Sequence, residues 1–224
     1  LGPLWLLINY LAFAGTFIFL FHRGEGVPHY AAYVATGLLV WFYIMETTSH
    51  GVTLFVREEA LIKGTPLPLS VYVMRLLMQS MIRSAYALLG CCAILLFSDV
   101  TLSLAALWAV PGALLIILST PAAIIVFAFL GAYFPDSQFI VSNFMRLGMF
   151  MTPIFWSYAG EGGLRASFYH LNPFTYLIEV VRTPIVSGEP AVQAMLMVLL
   201  AVLALWLLAL VLLGRFRKNV AFIL

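Results

Sequence analysis

The chain has 224 residues, of which 64% are hydrophobic and only 9% are charged; the formal net charge is +2 and the mean hydropathy is +1.08. A soluble domain carries roughly 25% charged residues, so the composition excludes a soluble fold and predicts an all-α integral membrane protein. The small net charge provides no broad basic field for nucleic acid. The adjacent Cys91 and Cys92 lie inside an apolar run, and we interpret them as packing residues.

The apolar runs predict about six transmembrane helices in a single transmembrane domain, 1–224. A bilayer core of about 30 Å requires roughly 20 apolar residues in helical conformation. A run at 174–181 covers only about half of that thickness, so we expect short re-entrant periplasmic helices within 159–190. The predicted spans are, in chain order, 4–21, 30–56, 71–97, 113–134, 138–158 (with Pro153 inside it) and 191–214.

The distribution of lysine and arginine predicts that both termini of this inner-membrane protein are cytoplasmic. With the N-terminus inside, seven basic residues fall on the inner side and three on the outer side, in agreement with the positive-inside rule. The inner set is Arg57, Lys63, Arg75, Arg146, Arg215, Arg217 and Lys218, and the outer set is Arg23, Arg165 and Arg182.

The loop 57–68 contains the densest cluster of charge and predicts a short amphipathic helix on the cytoplasmic side. Two prolines, Pro66 and Pro68, prevent the helix from continuing. Such a helix suits contact with a cytosolic partner, although a plain solvated turn between two spans explains the pattern equally well. The candidate partner-coupling residues are Arg57, Glu58, Glu59, Leu61, Ile62 and Lys63, with the charged Glu58, Glu59 and Lys63 on the exposed side and Leu61 and Ile62 on the apolar side.

Charged residues within the predicted second and third spans form the next candidate. Glu46 and His50 are one helical turn apart, whereas Arg75, Gln79 and Arg83 recur every four residues. At 1.5 Å per residue, Glu46 and Arg83 lie at similar depths, about 15–18 Å from the cytoplasmic ends of their helices. We therefore predict an ion pair between them, which either fixes helix packing or contacts a substrate.

Aromatic residues make up 15% of the chain. Those near the membrane surface are interpreted as interface anchors, and those in mid-span as a path on which the apolar faces of sugars stack; the sequence leaves both readings open. The candidate substrate-path residues are Trp41, Tyr43, Phe144, Phe150, Phe155, Trp156, Tyr158, Tyr169 and Asn172.

Enzyme and metal motifs are absent from the sequence. There is no Gly-x-x-x-x-Gly-Lys-Ser/Thr phosphate loop and no His-Glu-x-x-His motif, and the four histidines lack metal-ligand spacing. We therefore expect a transport permease with no catalytic residue and no cofactor of its own.

Four short stretches, in this order along the chain, resemble the membrane subunits of type-2 ABC exporters, in the polysaccharide and O-antigen export branch. Tyr133-Phe134-Pro135 departs from the family, in which many members have a basic residue before the acidic position. The resembling stretches are LGPLWLLIN at 1–9; REEALIK at 57–63 with prolines after it; GAYFPD at 131–136 followed by TPIFW at 152–156; and LNPF at 171–174 followed by IEVVR at 178–182, Pro184 and Gly188.

The resemblance implies a homodimer that binds two ATP-binding cassette subunits through the 57–68 helix and moves lipid-linked polysaccharide outward, with ATP and Mg²⁺ held by the partner subunits. It also implies an N-terminal interfacial helix, which the sequence given lacks. A type-2 permease for drugs or another lipid is the alternative. A membrane-embedded glycan or lipid transferase would require acidic residues clustered at one depth, and a passive channel would not require the 57–68 helix.

Overall fold

The computed structural model describes residues 2, 4–21, 27–65, 67–101, 103–158, 160, 163–217 and 220–223, and the elements within these ranges are helical. Pro66, Lys218 and most of the polar turn after the first helix lie outside the described residues. The helices are α1 (Leu4–Phe21), α2 (Tyr30–Val52), α3 (Leu54–Arg57), α4 (Glu59–Gly64), α5 (Leu69–Leu96), α6 (Ala109–Tyr133, preceded by a 3-10 turn, Leu104–Trp108), α7 (Ser137–Met151), α8 (Leu164–Leu171), α9 (Pro173–Val186), α10 (Val192–Phe216) and α11 (Val220–Ile223).

Four described helices are long and apolar enough to cross a membrane: α1, α5, α6 with its leading 3-10 turn, and α10. The prediction of about six spans depends also on α2 and α7. Helix α2 has 23 residues but carries the polar segment 46–50, while α7 has only 15 residues. The chain is a multi-pass membrane protein, and the number of its spans stays a prediction.

The long helices form one bundle, in which α2 is the central element and packs against α5, α6, α7 and α9. Helices α2 and α6 run in the same direction, because Tyr43 Oη lies 2.9 Å from Thr120 Oγ1 and the end of α2 meets Gly131 near the end of α6. We call the end of the bundle that carries α3 and α4 the α4 end. There the Tyr133 and Phe216 rings also meet, with centroids 5.6 Å apart.

Glycine permits the closest approach between helices. A Cβ atom on Gly131 would overlap the backbone carbonyl of Val52, and one on Gly112 would lie 2.6 Å from the carbonyl oxygen of Val180. Contacts this short with backbone atoms cannot be relieved by a change of rotamer. The two glycines therefore set the spacing of α6 against α2 and α9.

Helices α8 and α9 form a re-entrant pair that enters and leaves from the end opposite α4. Helix α9 begins at the depth of mid-α2, where Phe174 packs edge-on against Trp41 at 5.4 Å. It ends beside the loop before α6, where Gly188 approaches Ser103. This geometry agrees with the prediction for the 174–181 run, although the helix is longer, with 14 residues.

The predicted fifth span, 138–158, is corrected by the structure. Helix α7 ends at Met151, and Thr152 adopts an extended conformation. The residue before a proline is biased away from the helical region, and Pro153 follows directly. The proline therefore ends the helix instead of lying inside it.

Candidate functional site

The irregular segment 152–156 that follows α7 is anchored by side chains of α2. Tyr33 Oη donates to the carbonyl oxygens of Pro153 (3.1 Å) and Trp156 (2.9 Å), and Tyr30 Oη donates to that of Phe155 (3.1 Å). Non-helical backbone at membrane depth requires such partners, since lipid supplies none. The tyrosines on the first turns of α2 therefore stabilise the break after α7.

Arg182 joins the same cluster from α9. Its Nη1 donates to the Pro153 carbonyl (2.7 Å) and lies 3.2 Å from Glu179 Oε1, and its guanidinium carbon lies 3.8 Å from the centre of the Tyr33 ring. The residue is only 1% exposed. Its Nη2 occupies the space where a side chain at position 37 would begin, so glycine at this position leaves room for the guanidinium.

The sequence predicts Arg182 on the outer side and contains no indication that its side chain is buried. The side chain is buried against three elements, namely α9, α2 and the 152–156 segment. A Glu-x-x-Arg spacing at 179–182 places the two charges on one face of a helix, so the sequence contained the signal for the pair. The spacing contained no signal for its burial.

Asn172 connects the same segment to the start of α9. Its Nδ2 donates to Thr152 Oγ1 (2.8 Å), while its Oδ1 accepts from the backbone N–H of Phe174 (3.0 Å). The side chain thus caps α9 and holds it to the end of α7. The structure supports a positioning role for this candidate.

Three candidate aromatics, Phe150, Phe155 and Trp156, are brought together around a cavity of about 430 Å³ at the end opposite α4. Phe155 stacks on Phe17 of α1 with centroids 4.0 Å apart, and Trp156 Nε1 donates to the Phe150 carbonyl (3.1 Å). Arg165 of α8 lies 5.8 Å from the centre of the Trp156 ring. Rings and one cation therefore surround a space open to the surface.

Tyr158 and Tyr169 form a separate stacked pair, with centroids 5.1 Å apart and the His170 ring edge-on to both. Burial raises the pKa of the Tyr169 hydroxyl above its ordinary value, and the nearby Glu179 carboxylate acts in the same direction. Tyr169 therefore remains neutral at physiological pH and presents an uncharged ring.

The remaining candidate aromatics do not share that cavity. Trp41 is 0% exposed and packs in the core against Phe174, and Tyr43 is buried with its hydroxyl bonded to Thr120. Phe144 is exposed on α7, 6.3 Å from the Phe174 ring. For Trp41 the structure therefore supports helix packing, because the ring has no accessible surface.

The predicted intramembrane ion pair is present. Arg83 Nη1 lies 3.0 Å from Glu46 Oε1 and 3.4 Å from His50 Nε2. Arg75 does not join the pair; its Nη1 lies 3.2 Å from Glu58 Oε2 at the α4 end. Arg75 and Arg83, which recur on one face of the predicted third span, therefore belong to two separate sites.

The candidate coupling residues form two groups around α4. Glu59 and Lys63 pair on the exposed surface (2.6 Å), and Leu61 beside them is 46% exposed. Two expectations are corrected. Glu58, expected on the exposed side, lies between α3 and α4 with a side chain that is only 12% exposed. Leu61, expected on the apolar side, is exposed. Arg57 and Arg75 both pair with Glu58, and Ile62 packs against the core as expected.

The structure makes four residues prominent that the sequence analysis does not name as site candidates: Tyr30, Tyr33, Arg146 and Arg182. The two tyrosines are spaced like one turn of a helix, but their partners are carbonyl groups more than a hundred residues away. Arg146, which the sequence analysis predicts on the inner side, lies within α7 and lines the same cavity as Arg83. Groups of three potential metal ligands are not found among the described residues.

No protein-family model matches the chain. Two curated proteins do match, both named "O-antigen export system permease protein RfbA" and both from Klebsiella pneumoniae. One is 27% identical over 160 residues, which cover 70% of this chain and 62% of the relative; the other is 27% identical over 159 residues, with 70% and 61% covered. The match therefore spans less than two thirds of the length of these relatives. The comparison confirms the resemblance of the chain to the O-antigen export branch of type-2 ABC permeases.

Proposed function

We propose that the chain is a membrane subunit of an ATP-driven exporter that moves lipid-linked, O-antigen-like polysaccharide across the bacterial inner membrane. The observation that carries the proposal is the similarity to O-antigen export permeases over about 70% of the chain. Helices long enough to cross a membrane are consistent with it. In this proposal the chain is a permease, not an enzyme.

Two ATP-binding subunits hydrolyse ATP and dock on the α4 surface of a homodimer. The exposed Leu61 and the exposed Glu59–Lys63 pair support this docking, because they place apolar and charged groups on one short helix. Glu58 contributes differently: its pairs with Arg57 and Arg75 connect α4 to α3 and α5. Force applied to α4 is thereby transmitted to the long α5 helix. Both termini are cytoplasmic in this orientation.

The aromatic cluster around Phe150, Phe155 and Trp156 is the proposed outer part of the sugar path. Sugar rings stack their apolar C–H faces on aromatic rings, and Trp156 and Phe150 have accessible faces. The stacked Tyr158–Tyr169 pair continues the aromatic surface. The re-entrant α8–α9 pair holds these rings through Asn172 and Arg182.

A complementation experiment tests this function. The full-length protein and its cognate ATP-binding subunit are expressed in a bacterium that lacks its own O-antigen export permease, and O-antigen at the cell surface is measured. Surface polysaccharide that depends on both subunits is the expected result. Intracellular accumulation of the polymer with both subunits present would contradict the proposal, and ATP-dependent efflux of a drug or another lipid would support the alternative permease.

A further inference from the structure

The cavity of about 430 Å³ at the end opposite α4 combines an aromatic wall with a single charged group. Among the described residues that line it, Arg165 is the only one with an ionisable side chain. Aromatic rings suffice to stack against the apolar faces of sugars, so they give no reason for a cation at the same place. The rings belong to Phe17, Phe21, Phe150, Phe155, Trp156 and Phe168.

Arg165 keeps its hydrogen-bond donors free. The residue is exposed, and its guanidinium carbon lies 5.8 Å from the centre of the Trp156 ring. Within the described part of the chain, its side chain forms no ion pair and no hydrogen bond. A guanidinium has five N–H donors, so they remain for a ligand that enters the cavity.

The position of Arg165 within α8 does not stabilise that helix. Arg165 is the second residue of α8, and the first turn contains no acidic residue that could pair with it. A cation in the first turn lies at the positive end of the helix dipole, which disfavours it. The benefit of the cation therefore lies outside α8.

The two parts of the wall together define the chemistry of a ligand. A guanidinium forms paired, charge-assisted hydrogen bonds with the oxygens of a carboxylate or a phosphate. Trp156 Nε1 already donates to the Phe150 carbonyl, so Trp156 offers the face of its ring and no donor. A sugar residue that bears an acidic group presents an apolar ring face and an anion, and thus matches both parts.

We propose that Trp156 and Arg165 form a subsite for an anionic sugar residue, with the sugar ring on the indole face and the acidic group at the guanidinium. The inference rests on the proposed function and deepens it, because it names the chemical class of the exported polymer. The rings bind charged and neutral sugars alike. Arg165 is the residue that distinguishes them.

Binding to the full-length protein purified in detergent tests the subsite. The three probes share one backbone: cellohexaose, its C6-oxidised form, which bears carboxylates, and its 6-phosphorylated form. Calorimetry measures the dissociation constant of each, and we expect both charged probes to bind more tightly than cellohexaose. Preference for the oxidised probe identifies a carboxylate as the acidic group, and preference for the phosphorylated probe identifies a phosphate. Equal binding of the charged and neutral probes would overturn the proposal.

Arg165→Gln should weaken binding of the preferred charged probe about three- to tenfold, between the scale of an exposed ion pair and that of a charge-assisted hydrogen bond. Arg165→Lys keeps the charge and should recover part of the affinity. The matched control is Arg215→Gln, since Arg215 lies 5.9 Å from the Phe216 ring but at the α4 end. It should bind like the wild type.

Trp156→Ala separates stacking from charge, because it should weaken the binding of all three probes. An arginine that only anchors α8 at the membrane surface predicts a different result for Arg165→Gln, namely wild-type affinity for the charged probes. That result would overturn the proposal.

Export supplies a second readout. The protein and its ATP-binding subunit are expressed in two hosts, one that makes an O-antigen with an acidic sugar in its repeat and one whose O-antigen is neutral. Arg165→Gln should lower the ratio of acidic to neutral polymer at the cell surface, and Arg215→Gln should leave this ratio unchanged. A wild-type ratio in the Arg165→Gln variant would contradict the subsite.

The two experiments together separate the subsite from the proposed function. Failure of the wild type to export either polymer, with binding of charged probes that still depends on Arg165, would overturn the function and leave the subsite standing. Export by the wild type together with equal binding of charged and neutral probes would overturn the subsite alone.

Discussion

The guanidinium carbon of Arg182 lies 3.8 Å from the centre of the Tyr33 ring, so a cation of α9 is buried against α2. The Pro153 carbonyl oxygen accepts hydrogen bonds from both residues, at 2.7 Å from Arg182 Nη1 and 3.1 Å from Tyr33 Oη. One backbone carbonyl thus joins α2, α9 and the end of α7. The position of the re-entrant pair depends on this junction.

Replacing Arg182 should destabilise the protein through this junction. Arg182→Met removes the charge-assisted bond to Pro153 and leaves the Glu179 carboxylate with only its hydrogen bond from Thr183, which should cost on the order of 2–3 kcal/mol. Thermal unfolding in detergent, followed by tryptophan fluorescence, measures the loss. Arg215→Met, at an exposed site near the end of α10, should unfold like the wild type. Equal unfolding temperatures of the two variants would show that this junction does not contribute to the stability of the protein.

Gly37→Ala should also lower stability, because the added methyl group displaces the Arg182 guanidinium. Overpacking of this kind costs about 1–3 kcal/mol. Gly15→Ala is the matched control, since a Cβ on this α1 residue meets no atom within 4 Å. The control should be neutral or slightly stabilising, as alanine favours helix over glycine by up to about 1 kcal/mol. A destabilised control with an unaffected Gly37→Ala variant would contradict the packing described.

The triple change Glu58→Ala, Glu59→Ala and Lys63→Ala should uncouple ATP hydrolysis from export while the protein stays inserted. Leu61→Ser alters only an exposed side chain of α4 and should weaken partner docking without loss of stability. Co-purification of the ATP-binding subunit and surface polysaccharide are the two measurements. Unchanged export in the triple variant would exclude a coupling role for α4.

The aromatic residues should separate into two groups. Trp156→Ala and Tyr169→Ala should slow polymer export more than they reduce the amount of protein, since their rings are partly accessible. Trp41→Ala should mainly reduce the amount of folded protein, because removal of a buried tryptophan costs about 3–5 kcal/mol. Export rate normalised to membrane protein content is the measurement. A parallel fall of rate and protein in the first two variants would make those rings structural.

Several features followed from local chemistry and could be read from the sequence. The apolar runs located the long helices to within a few residues, and the similar depths of Glu46 and Arg83 in two consecutive spans located their ion pair. The short 174–181 run indicated a segment that does not cross. Each of these predictions needs only the hydropathy of a run or the depth of a residue along its own helix.

Other features depend on which helices become neighbours. Tyr33 and Arg182 are 149 positions apart, and only the packing of α9 on α2 buries the Arg182 cation against the Tyr33 ring. In the same way, Arg146 and Arg83 face one cavity because α7 and α5 both border α2. Hydropathy and spacing contain no information about such pairs.

The sequence by itself determined that the chain is a helical membrane protein, because too few charged residues are present to solvate a folded surface. It did not determine where every helix breaks, since Pro153 follows the end of α7 whereas Pro121 and Pro184 lie inside α6 and α9. The tertiary structure decided which side chains form hydrogen bonds with the non-helical backbone of 152–156, and which charged side chains have an ion-pair partner. Those outcomes depend on distances between helices, set here by close backbone contacts at Gly112 and Gly131.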